Sequence, residues 1–321
     1  FADVQQRARW LLPLLNGEIR SAFAMSEPDV ASSDPTNLQT TVRREGDQLV
    51  LNGRKWFITG VAHPQCKLLI VLCRNAVHAN DAVAPRAHHQ HSMVLLPLDT
   101  PGVQVVRNIP VVHHRSPEGH CEIVLRDARV SADHVLGAWG EGFAMAQARL
   151  GPGRVHHCMR TIGQCELALQ LAAERALERH AFGKPLSEQA NVQEWLADSR
   201  IEIDQARWLV LHAAWLLDQG DAAEPRQVRA QVAAIKVVAA RLQQRVVDRA
   251  MQIFGAMGLS PDTPLAAFWT WGRALHFMDG PDEVHLRSVA RHELAQARSR
   301  MGASSAWFTT PEQLLAPPRI R

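Results

Sequence analysis

The apolar period of this sequence changes once, and that change fixes the fold class. From Ser21 to about residue 137, apolar residues come in short runs separated by polar turns; from Gly140-Glu141-Gly142-Phe143 onward they recur at helical spacing. Alternation over a few residues reads as strand, and a spacing of three and four reads as helix. A chain that segregates the two in this way is α+β, with a β-barrel or sandwich followed by a helical bundle. The helical runs span about 143–180, 187–218, 225–255 and 280–298 and carry repeated small residues, among them Ala172, Ala176, Ala206, Ala213, Ala239 and Ala240. Small side chains let helices approach closely, as in an antiparallel bundle. Trp195, Trp208 and Trp215 read as packing in or near that bundle's core.

In the β half, Ala22 to Met25 is a short strand. Turns at Glu45-Gly46-Asp47 and Asn52-Gly53 mark two successive hairpins. Further strands are read at Leu68–Cys73, Ser92–Leu98, Val103–Arg107 and His120–Leu125, with 75–91 as a long polar loop. Ahead of Ser21, the stripe Val4, Ala8, Leu11, Leu12 and Leu15 is helical and stops at Asn16-Gly17. The organisation is therefore 1–20 as a helical remnant, 21–137 as the β domain, 138–299 as the bundle and 300–321 as an extended tail.

Composition removes several function classes. With 46% hydrophobic and 21% charged residues the chain holds an ordinary folded core. A net charge of +3 gives no reason to expect nucleic acid, and no run has transmembrane length. The five cysteines lack zinc spacing and read as reduced thiols. Sixteen histidines include no HExxH, and His88, His89 and His91 share a polar loop without ligand spacing, so no metal site is assigned.

One stretch stands apart, Met251 to Glu293. Its helical pattern runs through Ile253 and Phe254, breaks at Gly255, Gly258 and Pro261, resumes around Leu275 and Phe277, and then meets Asp279-Gly280-Pro281. Glycine permits an unusual backbone angle there, and proline suits the start of the next helix. Asp279 would sit at this corner with helix N–H groups pointing toward it. The plainer reading is a helix corner with Asp282 as an N-terminal charge.

Six segments in order resemble the acyl-CoA dehydrogenase family: FAMSEPDVASSD (23–34), NGRKWFITG (52–60), LGPGRVHHCMR (150–160), RALERHAFGKP (175–185), 252–258, and MDGPDEVH (278–285). The resemblance covers about residues 12–298 and looks closest to the branch of family members 10 and 11. It implies an N-terminal helical domain, largely absent from this chain, a middle β domain and a C-terminal four-helix bundle. It implies FAD and an acyl-CoA substrate, with α,β-dehydrogenation to a trans-2-enoyl-CoA and hydride transfer to flavin N5. By resemblance Asp279 is the base, where most members carry glutamate, and the second family position for a base falls at Gly153, which has no acceptor.

Met25, Ser26, Phe57 and Thr59 resemble the flavin contacts, and Ser33 lies on the pyrophosphate or substrate side of its loop. Arg179, Phe182, Gln252, Gly255 and Ala256 match positions that reach the dinucleotide of a neighbouring subunit. Pro281 and Glu283 stand near the adenosine end, where they depart from a common threonine and glutamine. By resemblance Arg154, which follows the LGPG turn at the start of a long helix, and Gly280 are expected beside the substrate; His156 and His157 are read as bundle surface or interface, with ligand contact by one of them as the alternative. Asp279, buried beside an acyl chain, is expected to have a raised pKa. The family further implies a homodimer or homotetramer and electron-transferring flavoprotein as electron acceptor, in the cytoplasm or a mitochondrial matrix. Two other readings stay open: an acyl-CoA oxidase, and a flavoprotein subunit that binds acyl-CoA without catalysis.

Overall fold

A computed structural model describes residues 1–76, 89–302 and 307–308. A short helical element opens the chain: α1 (Val4–Gln6), a π-helical turn at Arg7–Leu11, and α2 (Leu12–Leu15). Asp3 caps it in a capping box with Gln6, and Asn16 closes it ahead of Gly17.

The β half forms one connected eight-stranded sheet. Its strands are β1 (Arg20–Ala24), β2 (Thr41–Glu45), β3 (Gln48–Thr59), β4 (Cys66–Asn75), β5 (His91–Pro97), β6 (Val103–Asn108), β7 (His120–Ser131) and β8 (Val135–Leu136). The order is β6-β7-β3-β2-β4-β5-β8, with β1 also on β4. Most pairs are antiparallel, but β1 and β2 both run parallel to β4, which the short strand segments did not suggest. The inward faces meet in a core that includes Val42, Leu51, Ile58, Val71, Leu96 and Ile123.

Only one of the two expected hairpin turns exists. The chain turns at Gly46 between β2 and β3, but β3 continues through Asn52-Gly53 as a bulge opposite β7. Asn52 is held by Asp127 through two hydrogen bonds, and a Cβ at position 53 would collide with Thr40. The glycine therefore serves a close backbone approach rather than a turn. A second bulge in β3 falls between Lys55 and Ile58, at Trp56-Phe57.

The bundle consists of α3 (Gly142–Glu178), α4 (Ala190–Asp218), α5 (Pro225–Phe254), α6 (Leu265–Leu275) and α7 (Asp282–Ser299). Between α3 and α4 lies a two-strand hairpin, β9 (His180–Ala181) with β10 (Lys184–Pro185). Side-chain contacts set the directions. Thr161 meets Gln243 and Arg175 meets Phe254, so α3 and α5 run parallel. Arg200 meets Glu166 and Arg249 meets Glu202, so α4 runs against both. Small residues fill the shared core, including Ala168, Ala172, Ala206, Ala213, Ala239 and Ala240.

Two expectations need correction here. The LGPG segment is not a turn: α3 runs unbroken through Pro152. Trp195 packs against the core, but Trp208 and Trp215 are 71% and 56% exposed, on one side of α4. The run read as 225–255 ends as expected at Gly255, and the 3-10 turn at Gly255–Leu259 leads into α6, a helix that the sequence runs did not include. Most of the loop at 75–91 and most of the tail from residue 300 lie outside the described residues. A third apolar cluster, Leu38, Leu72, Met93, Met145 and Ala146, joins the sheet to the start of α3. That seam brings β1 and the first turns of α3 side by side.

Candidate active site

The corner after α6 is built around Asp279. Its φ is +54°, and Gly280 follows at +102°. Aspartate tolerates the left-handed region better than most residues, whereas position 280 needs glycine on two counts. Its φ is unfavourable for any side chain, and a Cβ there would press within 3.1 Å of His285 Nε2. Two donors hold the turn: Arg154 Nε and His285 Nε2 reach the Asp279 carbonyl oxygen at 3.0 and 3.2 Å. Pro281 caps α7, whose first N–H, that of Asp282, is taken by the His276 carbonyl rather than pointing at Asp279. Asp282 is buried and paired with His276 at 2.7 Å, and Glu283 is exposed in the same turn.

The Asp279 side chain is 15% exposed and faces two basic side chains of α3. His157 Nε2 lies 3.1 Å from Oδ2, and Arg149 Nη1 lies 3.8 Å from Oδ1. Gly153 is on the same face, and a Cβ there would stand 3.9 Å from Oδ2. This arrangement reverses the expected pKa shift. Burial pushes the carboxyl up, but the His157 contact and the charges of His157, Arg149 and Arg154 outweigh it, so Asp279 lies below the usual carboxylate value. Behind it, burial with Arg154 and Lys236 nearby pushes His285 down to about 4, so it is a neutral donor. Lys236, fully buried, donates to the Leu275 carbonyl at the end of α6.

The β half meets this corner through Phe23, whose ring lies 4.8 Å under the Arg149 guanidinium. The next residues, Met25 and Ser26, are pinned by their carbonyls. Lys55 Nζ donates to Met25 O at 2.9 Å, and the Trp56 N–H donates to Ser26 O at 3.0 Å. Lys55 is fully buried, and Glu27 joins it at 2.9 Å while accepting the Gln39 and Thr40 N–H groups. Burial lowers the Lys55 pKa; for Glu27 burial acts upward, but Lys55 and these hydrogen bonds win and lower it. Phe57 sits in the β3 bulge with φ +50° and its side chain half exposed. The Thr59 hydroxyl is 2.9 Å from His120 Nδ1, and the His120 ring meets Trp271 of α6 edge-on at 5.7 Å. Ser33 is exposed in the turn ahead of Asp34.

The remaining candidates are elsewhere. Arg179 follows α3, and Phe182 tips the β9–β10 hairpin with φ +54° and full exposure. Gln252 lies in the last turn of α5 and Gly255 caps it, ahead of Ala256, close to Phe254, which Arg175 approaches at 5.6 Å. Because α3 and α5 are parallel, these residues share one end of the bundle. Arg154 and Arg179 are separated by 25 residues of helix, about 37 Å at 1.5 Å per residue. The candidates thus divide into a near group, Met25, Ser26, Phe57, Thr59, Arg154, Asp279, Gly280, Pro281 and Glu283, and a far group, Arg179, Phe182, Gln252, Gly255 and Ala256.

Sequence reasoning missed Arg149, Lys55, Glu27, Lys236 and His285. Lys55 and Glu27 stood inside quoted motifs, and His285 closed one, but nothing in a sequence distinguishes a buried lysine from a surface one. Among the described residues no cluster of three or more His, Cys, Asp or Glu is arranged to hold a metal, and no helix is long and apolar enough to cross a membrane.

Comparison with known proteins follows the same division of the chain. The family description "Acyl-CoA dehydrogenase, middle domain" matches residues 22–128, and "Acyl-CoA dehydrogenase, C-terminal domain" matches 140–294. Probable acyl-CoA dehydrogenase FadE2 of Mycobacterium tuberculosis is 54% identical over 95% of this chain and 72% of its own length. Acyl-CoA dehydrogenase family member 10 of Mus musculus is 49% identical and family member 11 of Pongo abelii 44%, each over 94% of this chain. The expected placement nearest members 10 and 11 is therefore corrected: the mycobacterial relative is more similar than either. The chain spans only 27% and 38% of the lengths of members 10 and 11. A putative acyl-CoA dehydrogenase from Mycobacterium abscessus superposes with a TM-score of 0.85 at 50% identity, covering 92% of this chain and 70% of that one.

Proposed function

The chain belongs to the acyl-CoA dehydrogenase family of oxidoreductases, and from that premise we propose that it dehydrogenates an acyl-CoA thioester between the α and β carbons, with Asp279 as base. The observation that carries this reading is the Asp279 carboxylate: nearly buried, held on a left-handed turn, and kept ionised by neighbouring cations. A thioester acidifies its α protons, and a fixed carboxylate next to them removes one. Arg154 and His285 spend their hydrogen bonds on the Asp279 main chain, so they orient the base without neutralising it.

FAD suits the residues of the near and far groups. The half-exposed Phe57 ring, with the Ser26 and Thr59 hydroxyls, offers an aromatic face and polar contacts for a flavin ring. Arg179, the fully exposed Phe182 and a buried Arg175 Nε with no acceptor offer charge and donors for the dinucleotide. Bound there, FAD supplies the two-electron oxidant for the hydride leaving the β carbon. Lys55 and Trp56 hold the Met25 and Ser26 main chain for that contact. Ser33, Gly280, Pro281 and Glu283 complete the near side toward substrate and adenosine.

The separation of about 37 Å between the two groups supports a shared site, in which the far group of one copy serves the near group of another. The exposed Trp208 and Trp215 face of α4 is further apolar surface for a homodimer or homotetramer. Electron-transferring flavoprotein is the proposed acceptor of the electrons, in a cytoplasmic or matrix compartment.

The deciding experiment is anaerobic stopped-flow bleaching of the flavin by a panel of acyl-CoAs. Asp279→Asn should slow bleaching by about 10²–10⁴-fold with FAD retained. Equal bleaching in the variant would remove Asp279 as base. Light scattering of the FAD-loaded protein tests the shared site, and a fully loaded monomer would refute it.

A further inference from the structure

Thr59 and His120 are direct cross-strand partners at the end of the β3–β7 ladder. Their exposures are opposite: Thr59 is exposed near the half-exposed Phe57, whereas His120 is only 5% exposed. The Thr59 hydroxyl is 2.9 Å from His120 Nδ1. His114 and Ser116 line the same small cavity as the ring, but neither hydrogen-bonds to it, and Ser116 Oγ donates to Glu118 instead. Among the described residues the ring therefore has a single hydrogen-bond partner, the Thr59 hydroxyl.

Several contacts hold the ring in place. The His120 N–H donates to Asn108 Oδ1 at 2.9 Å, and its carbonyl accepts the Ile109 N–H at 3.0 Å. The Gly60 N–H donates to the Gly119 carbonyl at 3.1 Å, which ties the two chain segments together next to the pair. Trp271 of α6 meets the ring edge-on at 5.7 Å, and the Arg160 guanidinium lies 5.9 Å from the Trp271 ring. Burial lowers the His120 pKa against the upward pull of Glu118, so the ring is neutral and carries one N–H. A hydroxyl has one proton and two lone pairs on a rotor that turns to suit its partners. Nδ1 of a neutral ring either takes that proton or donates its own, so the bond to it fixes what Thr59 has left to offer outward.

We propose that His120 is a positioning residue for Thr59: it fixes the polarity with which the Thr59 hydroxyl meets the flavin ring, and so the relative affinity of the site for oxidised and reduced FAD. The inference rests on the reading of Thr59 as a flavin contact. Flavin N5 is an acceptor when oxidised and an N–H donor when reduced, so a hydroxyl held in one direction favours one form, whereas a free rotor accommodates both. Removing the hydroxyl abolishes the preference. Removing the ring releases the rotor and weakens the same preference.

The test uses the FAD-loaded full chain and reads its two-electron reduction potential by equilibration with a reference dye; titration of the apo-protein gives the FAD affinity. Thr59→Val should change the ratio of dissociation constants for oxidised and reduced FAD by up to about tenfold, which is about 30 mV for a two-electron couple. His120→Phe should shift the potential in the same direction and by no more. In the Thr59→Val background it should add nothing, because its effect passes through the hydroxyl. His120→Asn, whose amide stands at the Nδ1 position, should keep most of the unmodified potential. His120→Gln, whose amide stands at the Nε2 position, should behave like His120→Phe, and it carries the cycle if the phenylalanine variant does not fold. A shift that persists in full without the hydroxyl is a structural effect and overturns the proposal. So does a potential unmoved by His120→Phe or His120→Gln, or an asparagine variant no closer to the unmodified protein than the glutamine one. Thr59→Val separates the two readings. If it leaves both potential and FAD affinity unchanged, the flavin contact of Thr59 fails and the proposal falls with it; if it moves the potential while the His120 variants do not, only the role of His120 fails.

Discussion

Arg154 Nε donates to the main-chain carbonyl of Asp279 at 3.0 Å, not to its carboxylate. Bound to the backbone, it stabilises the left-handed turn and leaves the carboxylate oxygens to Arg149 and His157 of α3. Arg154→Met should therefore leave the carbonyl with His285 as its remaining donor and cost about 1–3 kcal/mol in stability. Urea denaturation measures that loss, and bleaching kinetics should show a fall in kcat.

The depressed pKa of Asp279 fixes the sign of one pH dependence. A base must be deprotonated to act, and this carboxyl stays ionised to lower pH than a free aspartate. The rate of flavin bleaching in the free enzyme should show no limb from Asp279 between about pH 5 and 8, with its loss falling below the ordinary carboxylate value of about 3.9. A raised pKa, the expectation from an apolar pocket alone, would put the limb above 4.

His285 contributes a stability term of opposite origin. Its folded pKa is near 4 against an ordinary 6.5, so between these values the unfolded chain binds more protons than the folded one. The contribution is complete above pH 6.5 and is lost as pH falls from 6.5 through 4, on the order of 3 kcal/mol in all. His285→Gln keeps a donor for the Asp279 carbonyl but cannot titrate. The difference in Tm between the two proteins should change across that window and be flat above it.

Lys55 and Glu27 form a fully buried pair under the Met25-Ser26 segment. Glu27→Gln removes the countercharge from a buried ammonium, and breaking such a pair costs about 3–5 kcal/mol. Equilibrium unfolding should show that loss, accompanied by weaker FAD retention in a titration of the apo-protein.

Gly151 lies inside α3 with open space where a Cβ would go. Gly151→Ala should raise stability by about 1 kcal/mol, read as a higher midpoint in urea without a change in slope.

Much of the architecture was legible because apolar spacing reports local geometry directly. The strand at Ala22, the helices from Gly142 and the break before Asp279 all follow from it. Misreadings arose where a residue type has two uses. Asn52-Gly53 looks like a hairpin turn but is a bulge fixed by Asp127 and Thr40, and Pro152 looks like a breaker but lies within a helix. Trp208 and Trp215 have core-like chemistry yet lie exposed on α4. Asp279 itself stood out through its Gly-Pro context, whereas its controls did not. Arg149, His157 and His285 reach it from two helices, and the sign of its pKa depends on those contacts rather than on any local pattern.

Helix α3 runs from Gly142 to Glu178 without interruption and carries Arg154 near one end and Arg175 near the other. It acts as a ruler with a fixed phase. Inserting or deleting one residue between them would change the spacing by about 1.5 Å but turn one end against the other by about 100°. The bundle core would lose its stripe beyond the change, and the hairpin with Phe182 would swing to another side. Loops of this chain can vary in length at little cost, but the count of residues from Arg154 to Arg179 cannot, so natural variation in this segment should take the form of substitution alone.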